Sequence, residues 1–357
     1  MIAFLVTHLM GAGHLVRTLA LARAVAARGG RARVISGGRP LAQVDAAGVE
    51  LVQLPWVASD GLDYRRLLGP DGREADAGRL AARRAAILGA LEGAEALVTE
   101  LWPFGRRILG DEFRAAVAAM GDRPVWASIR DVLEPPSKPA RTAETLAALE
   151  GFRGVLVHGD PAVAPLAASW PAEEAVRGLV YTGYVSDPAP AAAGPAEVMV
   201  AVGGGVIGRR LLGVAAEAAG ASRLPWRLRV GGADAAEVCV GLAGRGPAAV
   251  EPAAGDYRAR LGAAAVSVSL CGYNTAVEVA LSGTPALLVP MEEAGEREQL
   301  IRAGAFARLE GLETARIGDL TPERLAARVE ALAAGPRRAP ALAAEGAVRA
   351  AEILLAG

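Results

Sequence analysis

The segment Cys271-Gly272-Tyr273-Asn274-Thr275-Ala276-Val277-Glu278 lies between the apolar runs Ala263–Leu270 and Pro285–Pro290 and is the most informative in the chain. Strands buried in a parallel sheet are short apolar runs, so this order predicts a strand, a turn and a helix. The N-terminus of a helix offers unpaired N–H groups and the positive end of its dipole. Residues Gly272 to Thr275 are therefore predicted to bind an anion such as a diphosphate, with Glu278 one turn inside the helix.

The same residues fit a second interpretation. Thr275 and Glu278 have the Thr-x-x-Glu spacing of a capping box, in which the glutamate only accepts a hydrogen bond from the backbone N–H of the capping residue. Glu278 would then stabilise the start of the helix and would bind no ligand. The octapeptide alone leaves both interpretations open.

Length and charge narrow the class of protein. With 357 residues, of which 52% are hydrophobic, the chain is long enough for two domains with a core each. Its 38 basic and 39 acidic residues give a net charge of -1, which provides no positive surface for nucleic acid or for an acidic membrane. Small-molecule chemistry is favoured. Lys138 is the one lysine and no Gly-Lys-Ser/Thr sequence occurs, which excludes a Walker A loop.

Cysteine content and the apolar runs indicate the compartment. Cys239 and Cys271 are too few for a disulfide framework and too far apart for a Cys-x-x-Cys metal pair, and they suit a reducing cytoplasm. The chain starts with an apolar run that no basic leader precedes, and no apolar run approaches the roughly 20 residues of a membrane span. A cytoplasmic protein is expected, with no transmembrane segment and at most peripheral membrane contact.

Short apolar runs alternate with helix-length segments, which predicts parallel sheets covered by helices on both faces. The first series of runs comprises Ile2–Val6, Arg33–Ile35, Val49–Leu54, Ala96–Val98, Val125–Ala127 and Val155–Val157. The second series comprises Val198–Val202, Arg227–Val230, Ala248–Val250, Ala264–Leu270 and Ala286–Val289. The expected fold class is therefore α/β, with two Rossmann-like doubly wound domains that face a cleft.

The boundaries of the domains follow from composition. Residues 186–196 are rich in proline and alanine, as is typical of a linker, and separate a first domain at 1–185 from a second at 197–357. Thr321 followed by Pro322 predicts the start of a helix in the tail. A last helix is expected at about 340–355, packed back on the first domain.

A glycine turn, Gly11-Ala12-Gly13, follows the first strand and places His14 at the start of the first helix. The helix dipole disfavours a cationic histidine there, so a neutral imidazole that can accept a proton is expected. Arg17 lies in the same turn, where a cation is unfavourable, and a residue that breaks a local rule is often functional. The alternative is that His14 caps the helix and Arg17 makes a surface ion pair. His8 and His158 are expected to form hydrogen bonds at strand ends.

The second domain opens with Val202-Gly203-Gly204-Gly205-Val206-Ile207-Gly208, which matches Gly-x-Gly-x-x-Gly. A nicotinamide-binding unit should carry an acidic residue roughly 20 positions further on, at the end of the next strand. That strand ends at Val230-Gly231-Gly232 instead. Gly203, Gly204 and Gly205 are therefore predicted to let the backbone approach a phosphate or an acceptor closely, and a plain turn is the alternative.

A polar loop, Met291–Gln299, follows the strand that ends at Pro290. Glu298 and Gln299 are candidates for hydrogen bonds to sugar hydroxyls, and solvated carboxylates at a helix start are the alternative. The sequence contains no His-Glu-x-x-His, no Gly-x-Ser-x-Gly and no Asp-x-Asp pair that would hold a divalent metal on a nucleotide sugar. No metal site is expected.

The Gly13-His14 loop, the linker and the segment from Gly272 to Gln299 together resemble the GT-B glycosyltransferases, in particular the bacterial branch with the N-acetylglucosaminyltransferase that forms lipid II. Other segments are similar to a group of uncharacterised bacterial predicted glycosyltransferases, and the resemblance covers nearly the whole chain. These segments are Gly13–Ala20, Pro103–Arg107, Ser128–Asp131, Val157–Pro161 and Tyr181–Val185.

The resemblance implies a nucleotide diphosphate-sugar as donor substrate, expected to be a UDP-sugar, and no cofactor. It implies that Glu278, six residues after Gly272, holds the ribose, that Glu298 and Gln299 contact the donor sugar, and that His14 is the catalytic base. The loop is also similar to that of the GT-B-like nucleotide-sugar hydrolase of the pseudaminic acid pathway.

The sequence therefore predicts a metal-independent, inverting glycosyltransferase that binds its donor between the domains, mainly against the second. Helix N-termini are expected to meet the diphosphate charge, with Gly13 and Arg17 as further contacts. Glu100 and Asp131 are the next candidates for the base. Two alternatives stay open, a hydrolase or 2-epimerase on the same fold, and a protein that binds nucleotide sugars without turnover. Neither the sugar, the acceptor nor the oligomeric state follows from the sequence.

Overall fold

The computed structural model describes residues 1–41, 44–59, 65–203, 206–232, 234–292 and 295–357. The chain divides into two compact units, the first formed by Met1–Ser186 with Ala343–Gly357 and the second by Asp187–Leu342. The division after Ser186 lies at the start of the predicted linker. The second unit ends at Leu342 and not at the last residue, because the final helix belongs to the first unit.

Strands and helices are numbered in chain order within the described residues. The strands of the first unit are β1 (Ile2–Val6), β2 (Ala32–Ser36), β3 (Glu50–Gln53), β4 (Ala58–Ser59), β5 (Leu67–Leu68), β6 (Ala96–Glu100), β7 (Val125–Arg130), β8 (Gly154–His158) and β9 (Leu179–Tyr181). Those of the second are β10 (Val198–Val202), β11 (Trp226–Val230), β12 (Ala249–Pro252), β13 (Val266–Leu270), β14 (Ala286–Val289) and β15 (Leu312–Thr314).

The helices lie between these strands, as in other doubly wound sheets. They are α1 (Gly13–Ala27), α2 (Ala77–Ala90), α3 (Gly110–Met120), α4 (Pro139–Ala148), α5 (Val206–Ala218), α6 (Ala235–Leu242), α7 (Tyr257–Ala263), α8 (Tyr273–Ser282), α9 (Glu298–Phe306), α10 (Pro322–Ala333) and α11 (Gly346–Ala356). None of the helices in the described residues is both long enough and apolar enough to cross a membrane.

Strand order decides where each sheet presents a crevice. The first sheet has the order β3-β2-β1-β6-β7-β8-β9 and the second the order β12-β11-β10-β13-β14-β15, each with parallel neighbours. The chain leaves β1 and β6 in opposite directions, and likewise β10 and β13. Ligands of open α/β sheets bind at such switch points, at the carboxyl ends of the strands. The segments that follow these four strands are therefore the expected ligand-binding segments.

The last helix completes the core of the first unit. Ala351 and Leu354 of α11 belong to the same buried cluster as Leu19 and Val25 of α1. The helix begins at Gly346 and not at about 340, because the preceding residues pair with Tyr184, whose N–H donates to the carbonyl of Ala343 and whose carbonyl accepts from Gly346.

The start of α10 agrees with its sequence signal. Thr321 Oγ1 accepts a hydrogen bond from the backbone N–H of Arg324 at 3.3 Å, and Pro322 occupies the first helical position. A proline loses nothing there, since the N–H it lacks would have no partner within the helix. The predicted cap is confirmed.

Candidate active site

His14 and Glu100 meet at the switch point of the first sheet. Leu5 of β1 lies beside Thr99 of β6, so the turn after β1 comes next to Glu100, the last residue of β6. The Nδ1 atom of His14 lies 2.7 Å from Oε1 of Glu100. The His14 side chain is 16% exposed and that of Glu100 is 2% exposed. A histidine–carboxylate pair thus stands at the site where the fold places ligands.

Arg17 is the third member of this group. Its guanidinium is buried and donates a hydrogen bond to the same Oε1 atom that His14 contacts. The sequence offered a diphosphate contact or a surface ion pair for Arg17, whereas its partner in the structure is a buried carboxylate of the same unit. His14 does not cap α1, because the capping position is Ala12, which makes no side-chain capping bond among the described residues.

The surroundings determine the charge of each partner. Burial lowers the pKa of His14 to about 4, with Glu100 opposing this and Arg106 and Arg130 reinforcing it. Burial would raise the pKa of Glu100, but the neighbouring His14, Arg17 and Arg106 hold it well below its usual range. The imidazole is neutral near pH 7, as the sequence predicts, although burial and not the helix dipole is the main cause. Since an ionised carboxylate can only accept, the His14 proton lies on Nδ1 and Nε2 keeps its lone pair.

The loop after Glu100 has an uncommon backbone. Leu101 and Arg106 have left-handed backbone conformations with φ of 64° and 57°, which residues other than glycine rarely adopt. Such conformations cost of order 1–3 kcal/mol each and persist where the surrounding structure enforces them, often at functional sites. Leu101 N–H donates to the carbonyl of Ser128, so the loop is tied to β7 immediately beyond Glu100.

The other two histidines form hydrogen bonds at strand ends, as expected. His8 Nε2 lies 2.9 Å from the carbonyl oxygen of Arg39. His158 is fully buried between the hydroxyls of Ser128 and Thr182, each at 2.8 Å from one ring nitrogen, and burial lowers its pKa to about 3. Both are structural residues of the strand ends.

In the second unit, α8 begins directly after Gly272, at the switch point beside β10. Gly272 is the extended capping residue, so Tyr273, Asn274 and Thr275 form the first turn. The N–H groups of this turn have no acceptor within the helix, and a β-carbon built on Gly272 would meet nothing within 4 Å. A half-buried glycine with space beside its α-carbon, directly before a helix N-terminus, provides room for an anion.

The helix start decides against the capping box. Thr275 is the third residue of α8 and not its cap, so Glu278 lies in the second turn, beyond reach of the capping N–H. That interpretation is wrong because the helix starts three residues earlier than a Thr275 cap requires.

Glu278 has a different partner, Arg258 of α7. Arg258 Nε lies 3.4 Å from Glu278 Oε1, and the two side chains are 26% and 23% exposed. Burial raises the pKa of Glu278 to about 7, Arg258 opposes the rise and Asp187 adds to it. A carboxyl group that changes charge near neutral pH, one turn into a helix that begins at a switch point of the sheet, is a functional-site candidate.

Glu298 and Gln299 open α9. Glu298 is buried and its Oε1 lies 2.9 Å from Nη1 of Arg302, whose guanidinium also donates to the carbonyl of Cys271 at 3.2 Å. Gln299 Oε1 accepts from the backbone N–H of Met291 at 3.1 Å. Both side chains therefore connect α9 to the ends of β13 and β14. Their predicted contact with a donor sugar stays a prediction.

The glycine loop after β10 is only partly described. Gly204 and Gly205 lie outside the described residues, and Gly203 precedes them at the end of β10. A β-carbon on Gly231, after β11, would come within 2.9 Å of the Val202 carbonyl oxygen and 3.2 Å of Gly203 Cα. The glycine at 231 thus permits the close approach of two loops, and the strand end itself, Val230-Gly231-Gly232, carries no acidic residue.

Comparison with protein families identifies part of the chain. Residues 235–354 match the glycosyltransferase family 28 C-terminal domain. The matched range contains α8 with Glu278 and α9 with Glu298. Over these residues the chain is similar to that domain.

Relatives of known function match a part of the chain. Over 97 residues the chain is 39% identical to the UDP-N-acetylglucosamine--N-acetylmuramyl-(pentapeptide) pyrophosphoryl-undecaprenol N-acetylglucosamine transferase of Rhodopseudomonas palustris (strain BisB18). These 97 residues make up 27% of this chain and 26% of that protein. It is 38% identical over 109 residues to the transferase of that name from Methylobacterium sp. (strain 4-46). The match spans about a quarter of the length of these relatives.

Solved structures extend the similarity to the whole fold. MurG of Acinetobacter baumannii matches with a TM-score of 0.59 and 18% identity over 98% of this chain and 94% of that one. The glycotransferase of kitacinnamycin matches with a TM-score of 0.65 and 21% identity over 99% and 98%. The chain has the fold of these proteins, which confirms the GT-B fold class and the resemblance seen in the sequence.

Two partners were not identified as such from sequence. The sequence predicts Glu100 only as a next candidate for the base after His14, and it gives no prediction for Arg258. The signal for Glu100 was present, since a carboxylate that ends an apolar strand run is exceptional in a buried sheet. Nothing in the sequence singled out Arg258 among the many arginines.

Proposed function

We propose that the chain is an inverting glycosyltransferase that moves a sugar from a nucleotide diphosphate-sugar to a hydroxyl of an acceptor. The observation that carries the proposal is the pair formed by His14 and Glu100, supported by the similarity to the family 28 C-terminal domain and by the N-terminus of α8 at the switch point of the second sheet. A UDP-sugar is the first donor to test, because the matched relatives are named for UDP-N-acetylglucosamine.

His14 acts as the base in this proposal. Its Nε2 takes the proton of the acceptor hydroxyl while the oxygen attacks the anomeric carbon of the donor. Glu100 accepts a hydrogen bond from the Nδ1–H group of His14 throughout. This bond fixes the tautomer of His14 and stabilises the imidazolium as it forms. Arg17 keeps Glu100 ionised, so the proton stays on the imidazole. A single displacement of this kind inverts the configuration at the anomeric carbon.

The second unit holds the donor. The diphosphate that leaves carries the charge that develops in the transition state, and the N–H groups of Tyr273, Asn274 and Thr275 are oriented to stabilise it. Glu278, in its ionised form, accepts hydrogen bonds from the ribose hydroxyls. Gly203 and Gln299 are further donor contacts in this proposal.

The products decide between this function and its alternatives. Purified protein is incubated with a panel of nucleotide sugars and with candidate acceptors, and the products are separated. A glycosylated acceptor supports the proposal. Free sugar with nucleotide, formed at the same rate without acceptor, would assign a hydrolase, an epimerised donor would assign a 2-epimerase, and binding without product would assign a nucleotide-sugar-binding protein.

Glu278→Ala is expected to weaken donor binding by about 10- to 100-fold, the usual contribution of hydrogen bonds to a charged group. Calorimetric titration measures the affinity, and the melting temperature is expected to change little, since Glu278 caps no helix. Glu217→Ala is the matched control, because it removes an ion pair with Arg245 elsewhere in the second unit. Equal affinity in Glu278→Ala and wild type would remove Glu278 from the site.

Transfer is expected to continue in excess EDTA, because helix N–H groups meet the diphosphate charge in the proposed mechanism. Initial rates are compared before and after chelation and again with added magnesium or manganese. A rate that EDTA abolishes and either metal restores would contradict the metal-independent mechanism.

A further inference from the structure

Arg258 contacts both Glu278 and the segment with which the chain enters the second unit. Its Nε faces the Glu278 carboxylate at 3.4 Å, and its Nη2 donates a hydrogen bond to the backbone carbonyl of Asp187, the first residue of this unit. The segment that enters the unit and the helix that carries Glu278 are therefore joined through one guanidinium.

The charged neighbours of Glu278 act in opposite directions. Arg258 on α7 favours the ionised carboxylate and the carboxylate of Asp187 disfavours it. Burial, and to a lesser extent the nearby Glu278, raises the pKa of the phenol of Tyr257, also on α7, so the phenol is neutral and adds no charge. Burial disfavours the ionised form further. Burial has the largest effect on the pKa of this carboxyl group, and Arg258 and Asp187 adjust that pKa in opposite directions.

We propose that Arg258 and Asp187 together set the charge of Glu278 and thereby the pH range in which the second unit binds its nucleotide. This inference rests on the proposed role of Glu278 as the ribose ligand. Arg258 is a positioning residue in it, since it acts through Glu278 and not on the nucleotide. An ionised carboxylate accepts two ribose hydroxyl hydrogens, whereas a protonated one must give up part of its acceptor capacity.

The pH dependence of the wild type follows directly. The pKa of Glu278 is about 7, so the carboxyl group is mostly protonated at pH 6 and mostly ionised at pH 8. If only the ionised form binds well, the apparent Kd falls about tenfold between these pH values. UDP-N-acetylglucosamine is the probe, because both phosphates of its diphosphate are fully ionised over this range, whereas the terminal phosphate of UDP titrates within it.

Two substitutions are expected to move the profile in opposite directions. Arg258→Gln removes the cation, so the midpoint of the Kd profile moves above pH 7 and binding at pH 7 weakens. Asp187→Asn removes the anion, so the midpoint moves below pH 7 and binding at pH 6 becomes tighter. Arg258→Lys keeps the charge and is expected to stay near the wild-type midpoint. Glu278→Gln is expected to bind with a Kd that no longer depends on pH.

A readout that needs no ligand accompanies the titrations. The carboxyl carbon of Glu278 is followed by NMR against pH in protein labelled with carbon-13 at glutamate, and the resonance missing from Glu278→Gln assigns it. Midpoints that move up in Arg258→Gln and down in Asp187→Asn support the inference. Midpoints that stay unchanged, or that move in the same direction in both variants, would overturn it. If the midpoints move as expected and UDP-N-acetylglucosamine binds at no pH, the proposed donor is wrong and the control of charge at Glu278 stands.

Discussion

His14→Ala is expected to lower kcat by about 10²–10⁴-fold while the affinity for the donor stays nearly unchanged. The reason is geometric, because His14 is fixed by Glu100 at the switch point of the first sheet, whereas the proposed donor contacts belong to the second unit. The imidazole acts only when neutral, so the rate of the wild type should fall as pH falls through its pKa of about 4, well below the ordinary value near 6.5. The variant should lose this acid limb.

His8→Ala serves as the control for this experiment. His8 also follows β1 and burial lowers its pKa, yet its ring contacts the backbone of Arg39 and makes no contact with Glu100 among the described hydrogen bonds. The turnover of the His8→Ala variant is expected to stay within a few-fold of the wild-type turnover. A His14→Ala protein that loses donor binding but keeps its kcat would make His14 a phosphate contact, and the search for a base would move to Glu100 and Asp131.

Glu100→Gln is expected to reduce kcat by about 10²–10⁴-fold as well, although glutamine has the same shape. A glutamine amide can donate its N–H to Nδ1 of His14, which would leave the proton on Nε2 and remove the lone pair that the acceptor hydroxyl needs. Steady-state rates with saturating donor measure the effect. A variant with wild-type kcat would show that the tautomer of His14 does not matter.

The stability of this variant needs its own control, because Glu100→Gln leaves the buried charge of Arg17 without a carboxylate. Losing one partner of a buried ion pair typically costs about 3–5 kcal/mol. The double variant Glu100→Gln with Arg17→Met removes both charges, so it is expected to recover part of the melting temperature and none of the activity. Recovery of activity together with stability would assign the pair to folding alone.

The elements with a strong local signal could be predicted from the sequence. The strands Val198–Val202 and Ala286–Val289 have the predicted bounds, because a strand buried on both faces is a continuous apolar run that turns interrupt at once. The cap at Thr321 was equally local. The start of α11 has no such local signal, since it depends on backbone hydrogen bonds between residues 343–346 and Tyr184, which is distant in sequence.

The site was predicted as separate residues and not as pairs. His14 and Glu100 are separated by 86 positions, and only the strand order that places β6 beside β1 brings them together. Hydrophobic periodicity reveals that strands exist but not which strands are neighbours. The ambiguity at Thr275 has a related cause, because a shift of three residues in the helix start changes Glu278 from a capping residue to a side chain facing Arg258.

The return of the chain to the first unit makes the second unit an insertion with both ends, Asp187 and Leu342, joined to the same body. We therefore expect residues 187–342 to be exchangeable as one segment for the equivalent residues of another protein with this fold. Such a chimaera would keep α1 with its histidine and the apolar cover that α11 gives it. A junction at the linker alone would discard α11 and uncover Leu19 and Val25.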